Sequence, residues 1–336
     1  MAKQEIATIA ILGAGSWGTA LSVLLAGNGH VVRLWGHLPD HVATLAKDRE
    51  NRHYLPGIAF PPILQLEADL AAAVDAAEEV LIVVPSHAFR EVITALASTV
   101  AGDTTLSWAT KGFDPDSGGL LSDVITELLP RHDLAVISGP SFAREVARGL
   151  PTAVTVAATS TAHAERIAGY LHNETFRAYT SADLIGVQVG GATKNVMAIA
   201  AGIADGLGFG ANARAALITR GLAEITRLGV TLGAHAETFV GLAGLGDLAL
   251  SCTDDQSRNR RMGLALAHGL SVEAAREEIG QAVEGVNTTR EVYRLSRRRG
   301  VEMPITEQVY RVLYEGLAPR DAVHALLHRR QRAETD

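Results

Sequence analysis

The chain has 336 residues, 47% apolar and 20% charged, ordinary globular usage that excludes a disordered, collagen-like or coiled-coil protein. At roughly 150 residues per domain, this length corresponds to about two domains with cores of their own. Thirty basic against 37 acidic side chains give a formal charge of −7, which argues against general binding to nucleic acid or anionic lipid.

In chain order, the first residues run into an apolar segment over 6–12 without a cleavable leader, so no export signal is expected. That segment ends in Gly13-Ala14-Gly15-Ser16-Trp17-Gly18, and residues 19–27 follow at helical spacing, giving strand, glycine turn and helix. A second strand is predicted over 30–35. A third, over 80–84, is almost entirely β-branched or Leu and closes on Pro85; a run apolar on both faces suits a buried parallel strand. Further strands are predicted over 104–109, 134–138 and 153–157, with helices over 40–50, 68–79, 88–99 and 120–129 between several of them. The pattern predicts an α/β fold, a Rossmann-like unit with a mostly parallel sheet. Beyond about Ala182 the β-rich runs stop, and Ala, Leu, Arg and Glu at helical spacing predict an all-helical C-terminal domain. The division expected is a dinucleotide-binding domain over 1–182 and a helical substrate-binding and catalytic domain over 183–336. The longest apolar stretch, residues 196–204, is short of the ~18–20 residues that cross a bilayer, so no membrane insertion is expected. The basic tail over 328–332 reads as a solvated helix end. The single cysteine, Cys252, gives neither an internal disulfide nor a thiol zinc module and fits a reducing cytoplasm.

Gly13, Gly15 and Gly18 form a GxGxxG directly between a predicted strand and a predicted helix, the context that gives this motif its meaning. Gly13 permits the tight turn, Gly15 lets backbone approach a pyrophosphate, Gly18 lets helix pack closely on strand, and the free N–H groups at the helix start offer an anion site. In many such folds an acidic residue about 20 positions on receives the ribose 2′-hydroxyl of NAD. Here no Asp or Glu stands between Gly18 and Asp40, whereas Arg33 and His37 bracket the place. A cation there attracts a 2′-phosphate, so NADPH is expected to be accepted and preferred over NADH.

Three polar constellations lie in apolar surroundings. In Trp108-Ala109-Thr110-Lys111-Gly112 a lysine follows a predicted core strand, at the edge where doubly wound sheets bind ligands. In Gly190-Gly191-Ala192-Thr193-Lys194-Asn195 a lysine enters an apolar helix with no adjacent carboxylate. Low dielectric lowers its proton affinity and suits it to general acid–base work near neutral pH, while a lysine snorkelling to solvent fits the same spacing. In the third, the glycine-rich segment from Gly241 to Asp247 is followed by Ser257-Arg258-Asn259. Ser257 reads as an N-cap with Arg258 and Asn259 in the first helical turn. The helix dipole disfavours a cation there, so a bound anion, such as a substrate phosphate, would explain the arrangement; a solvated surface fits as well. No metal site is expected, and His37, His53 and His87 read as loop or site-lining residues.

Together with Val83-Val84-Pro85-Ser86-His87 and Ile137-Ser138-Gly139-Pro140-Ser141-Phe142-Ala143, these motifs resemble the bacterial NAD(P)-dependent glycerol-3-phosphate dehydrogenases over nearly the whole chain. The resemblance implies interconversion of dihydroxyacetone phosphate and sn-glycerol 3-phosphate, feeding glycerophospholipid synthesis in the cytoplasm, and a homodimer as a common assembly. It implies cofactor contacts at Ser16, Trp17, His37, Lys111, Ala143, Arg258 and Glu284. It implies substrate contacts at Lys111, Gly139, Ser141, Asp247, Ser257, Arg258 and Asn259, with Lys194 as the proton-transferring lysine. A ketopantoate-type or β-hydroxyacid reductase shares the two-domain plan without needing the Ser257-Arg258-Asn259 arrangement. A noncatalytic NADP sensor would keep the glycine turn but has no use for Lys194 and Asp247.

Overall fold

The computed structural model describes residues 6–328; the start of the chain and the tail arginines Arg329, Arg330 and Arg332 lie outside them. The first half alternates strand and helix: β1 (Thr8–Leu12), α1 (Ser16–Gly27), β2 (Val31–Trp35), α2 (Pro39–Asp48), β3 (Gln65–Glu67), α3 (Leu70–Val74), β4 (Glu79–Ile82), α4 (Ser86–Leu96), β5 (Thr105–Trp108), α5 (Leu121–Leu128), β6 (Leu134–Ser138), α6 (Ala143–Ala147), β7 (Thr152–Ala158), α7 (Thr161–Leu171) and β8 (Phe176–Ser181). The strands form one sheet in the order β3-β2-β1-β4-β5-β6-β7-β8. All neighbours are parallel except β6 and β7. Strand order reverses between β1 and β4, so the loops after these two strands diverge and leave a crevice at their carboxyl ends, the ligand position in open α/β sheets. Separate apolar clusters cover the two faces of the sheet.

The second half is helical: α8 (Leu184–Gly206), α9 (Gly210–Thr231), α10 (Asp247–Thr253), α11 (Arg258–Ala267), α12 (Val272–Ile279), α13 (Glu284–Arg299), α14 (Pro304–Tyr314) and α15 (Pro319–Leu327). A 3-10 turn over Ala236–Val240 and a π-helical turn over Leu242–Gly246 lead into α10. A third apolar cluster, built on α8, holds this half together. Asp183 caps α8 by accepting from the Gly186 amide at 2.8 Å, and its other oxygen accepts from the His235 amide and the Thr238 hydroxyl.

Several elements differ from expectation. The Ala-rich stretch predicted as a helix over 68–79 is helical only at Leu70–Val74, because Glu79 already belongs to β4, paired with β1 and β5; tertiary pairing overrides helix propensity. The short strand β3 and the half-exposed edge strand β8 carry too little apolar alternation to stand out. The glycine-rich segment before Lys194 does not open a helix at residue 190: α8 begins at Leu184 and passes straight through it. With 23 residues, α8 is long and apolar enough to span a bilayer, but 89% of its apolar window is buried inside the protein. It is a core helix.

Candidate active site between sheet and helices

The glycine turn joins β1 to α1 at the crevice. Gly13 has φ +125°, open to glycine but strained for other residues, and a side chain there would strike the Val83 carbonyl. A Cβ on Gly18 would collide with the carbonyl of Gly13, so α1 packs as tightly as the motif predicts. At Gly15 the opposite holds: an added Cβ meets nothing within 4 Å, and no side chain caps the start of α1. Free amides face open space there, as a pyrophosphate requires. Beside them the indole Nε1 of Trp17 is buried without a hydrogen-bond partner. These features fit a dinucleotide. His37 is exposed two residues past the end of β2. Arg33, expected beside it, is placed elsewhere: it sits in mid-strand, and its guanidinium donates to the carbonyls of Ala72, at 3.3 Å, and Asp75. It straps β2 to α3.

Lys194 lies in the middle of α8 and is 8% exposed, so it does not snorkel to solvent. Its Nζ donates to Asp247 Oδ1 and, at 2.7 Å, to Ser251 Oγ. The other oxygen of Asp247, itself 1% exposed, accepts from Lys111 Nζ at 2.5 Å, and Lys111 also donates to the Gly139 carbonyl at 3.3 Å. One carboxylate thus holds two ammonium groups, one delivered by the loop after β5 and one by α8. Burial pulls the Lys194 pKa down from 10.5 to about 8; Asp247 resists the fall and Lys111 adds to it. Ser141 donates to the Gly139 carbonyl at 3.0 Å, and Ala143 opens α6 next to it.

Ser257 caps α11, its hydroxyl accepting from the Arg260 amide at 3.3 Å. Asn259, in the first turn, donates to Asn195 on α8 at 2.9 Å and accepts from the Gly285 amide at 2.9 Å, which joins the starts of α11 and α13 to the residue after Lys194. The Arg258 guanidinium, among the described residues, makes no hydrogen bond or ion pair, although burial pushes its proton affinity down and nearby Glu284 opposes that fall. Glu284 accepts from the Ser86 hydroxyl at 3.1 Å; burial pushes its carboxyl up, an effect that this hydrogen bond opposes. The Ser86–Glu284 contact ties the start of α4 to α13 across the crevice.

The structure therefore gathers Lys111, Gly139, Ser141, Lys194 and Asp247 into one cluster, with Ser257, Arg258, Asn259 and Glu284 at its helical side and the glycine turn at its sheet side. Sequence reasoning overlooked Ser251, which follows Asp247 by one helical turn and so shares its face of α10. It also gave no role to Asn195, whose neighbour Lys194 drew the attention.

Two family models match the chain: the N-terminus of NAD-dependent glycerol-3-phosphate dehydrogenase over residues 8–164 and its C-terminus over residues 183–324. The chain belongs to this dehydrogenase family. Among curated relatives, glycerol-3-phosphate dehydrogenase [NAD(P)+] of Shewanella sediminis is 56% identical over 334 residues, covering 99% of each chain. The protein of that name from Pseudoalteromonas translucida is 58% identical over 328 residues, covering 97% of this chain and 98% of its own. Among solved structures, glycerol-3-phosphate dehydrogenase of Coxiella burnetii superimposes with a TM-score of 0.94 at 49% identity, covering 96% of this chain and 99% of the other. In this chain the two matched parts meet where Lys111 pairs with Asp247.

Proposed function

We propose that this member of the glycerol-3-phosphate dehydrogenase family reduces dihydroxyacetone phosphate to sn-glycerol 3-phosphate with NADPH or NADH, reversibly, and so supplies the backbone of glycerophospholipids. The observation that carries the reading is the buried Lys194, held by Asp247 and Ser251 where the helical half faces the crevice of the sheet. A dinucleotide held by its pyrophosphate at the glycine turn would supply, from its nicotinamide, the hydride that the ketone carbon receives. Lys194, as an ammonium, stabilises the charge that grows on the ketone oxygen and passes it a proton, leaving a neutral amine that solvent reprotonates. Asp247 fixes Lys194 and keeps Lys111 beside it, so a second positive group faces the same oxygen. Arg258, with the amides at the start of α11 near Ser257 and with Asn259, takes the phosphate, and binding energy from that nonreacting end orients the carbonyl. Lys111, Gly139 and Ser141 line the rest of the substrate position. Ser16, Trp17, His37, Ala143 and Glu284 serve the cofactor, with Gly13, Gly15 and Gly18 shaping its turn.

We assign residues 1–182 to the cofactor and 183–336 to the substrate. With Arg33 engaged elsewhere, acceptance of NADPH rests on His37 and on the missing carboxylate after β2; His37→Asp is expected to raise the KM for NADPH at least about tenfold while leaving NADH less affected. The lone cysteine supports a cytoplasmic setting, and the family resemblance supports a homodimer, which sedimentation would read. The deciding experiment follows absorbance at 340 nm with purified protein, dihydroxyacetone phosphate and each reduced cofactor. Oxidation dependent on the phosphorylated ketone is expected; none with either cofactor would remove the reading.

A further inference from the structure

We infer that Arg260 is a positioning residue for the phosphate end of the substrate site, acting through Asp205; this rests on the function proposed above. Arg260 is 8% exposed. Its guanidinium is spent on three partners. Nη2 pairs with Asp205 at the end of α8 at 2.7 Å, Nη1 pairs with Asp255 in the loop before α11, and Nε donates to the Cys252 carbonyl at 3.2 Å. Its backbone amide is the one capped by Ser257, and a Cβ on Gly202 of α8 would overlap its carbonyl oxygen. One residue thus fixes the first turn of α11, which carries Arg258 and Asn259, against three other points. These are the helix that carries Lys194, the residue following Ser251, and the loop entering the turn.

The geometry explains why this matters. The Arg258 guanidinium makes no hydrogen bond or ion pair among the described residues, so its place depends on the backbone that carries it and on the packing around it. The backbone of that turn is held from beneath by Arg260. A buried ion pair broken on one side leaves an uncompensated charge and forces local rearrangement; here the rearrangement would shift Arg258 relative to Lys194, and a misplacement of about 1 Å can cost two orders of magnitude in rate. Asp205 also pairs with Arg214 of α9 at 2.8 Å, but among the described residues Arg214 makes no hydrogen bond or ion pair with α11, which supplies a control.

The test compares Arg260→Gln, Arg260→Lys, Asp205→Asn and Arg214→Ala with the parent enzyme. It measures KM for dihydroxyacetone phosphate, kcat, and competitive inhibition by inorganic phosphate, a probe of the phosphate end alone. Arg260→Gln and Asp205→Asn are expected to raise both the KM and the phosphate inhibition constant by about tenfold or more, with Arg260→Lys recovering part of the loss and Arg214→Ala leaving both constants within about twofold. Unchanged phosphate inhibition in Arg260→Gln overturns the inference, as does an equal effect of Arg214→Ala, which would mark a general loss of stability. If the arginine variants do not fold, Asp205→Asn decides by the same two constants. A parent enzyme inactive on dihydroxyacetone phosphate would instead sink the proposed function, a result separable from either.

Discussion

Lys194 needs two conflicting things from its surroundings. It must be an ammonium to give a proton, and its proton affinity must be low enough to give it near neutrality. Burial lowers its pKa to about 8, and Asp247 keeps it from falling further. Ketone reduction should therefore be fastest below about pH 8 and decline above it as the amine loses its proton, while oxidation of the alcohol should gain over the same interval. A pH–rate profile of kcat in both directions checks this; a reductive limb flat to pH 10 would take the proton away from Lys194. Lys194→Ala should lower kcat by roughly 100-fold or more with NADPH binding retained in calorimetry. Asp247→Asn should lower it too, since the lysine then loses the charge that offsets its burial. Arg258→Ala should act differently, chiefly raising KM for the phosphorylated ketone, and steady-state kinetics separates the two outcomes.

Among the elements, α14 shows how the helical half is locked. Glu224 of α9, 1% exposed, accepts from the Ile305 amide at 2.6 Å and from the Thr306 amide and hydroxyl at 3.2 Å, capping α14 from a neighbouring helix. Burial raises its pKa from 4.5 to about 7. With the folded value above the unfolded one, this carboxyl's contribution is fully present below about pH 4.5 and fades as pH rises through about 7. Glu224→Ala should lose about 1–3 kcal/mol by removing the acceptor from buried donors, whereas Glu224→Gln should flatten the pH dependence of stability between pH 4.5 and 7 in urea melts. The elements also show what a sequence discloses. The β1–turn–α1 unit was legible because its glycines have separate steric tasks, and the α11 cap because Ser257 precedes a first turn holding an unexplained arginine. Asp247 was expected to orient Lys194 or a substrate hydroxyl, yet its simultaneous grip on Lys111 was not legible: that partner stands 136 residues away, a distance across which no periodicity carries information. The contact of Arg33 with α3 was not legible either, because it depends on which face of β2 strand alternation gives it.

At the scale of the molecule, the halves are joined by polar contacts across the crevice: Lys111 to Asp247, Ser86 to Glu284, Gln188 to the Ser122 amide at 3.1 Å, and Arg298 to the carbonyls of Ser117 and Gly118. Sheet and helices should therefore unfold in one calorimetric transition, and NADPH at about 100 times its Kd should add about 2.7 kcal/mol to it; two resolved transitions, with only the first moved by NADPH, would show independent lobes. The helix that carries Lys194 is also the spine of the helical core, with α9, α10, α11 and α13 packed around it. Spine and acid are one segment, so the lineage that inherits this enzyme has little liberty to redesign its interior. A saturation library across α8 should find heat resistance and turnover lost together, whereas the sheet's outer edge at β8 should drift freely.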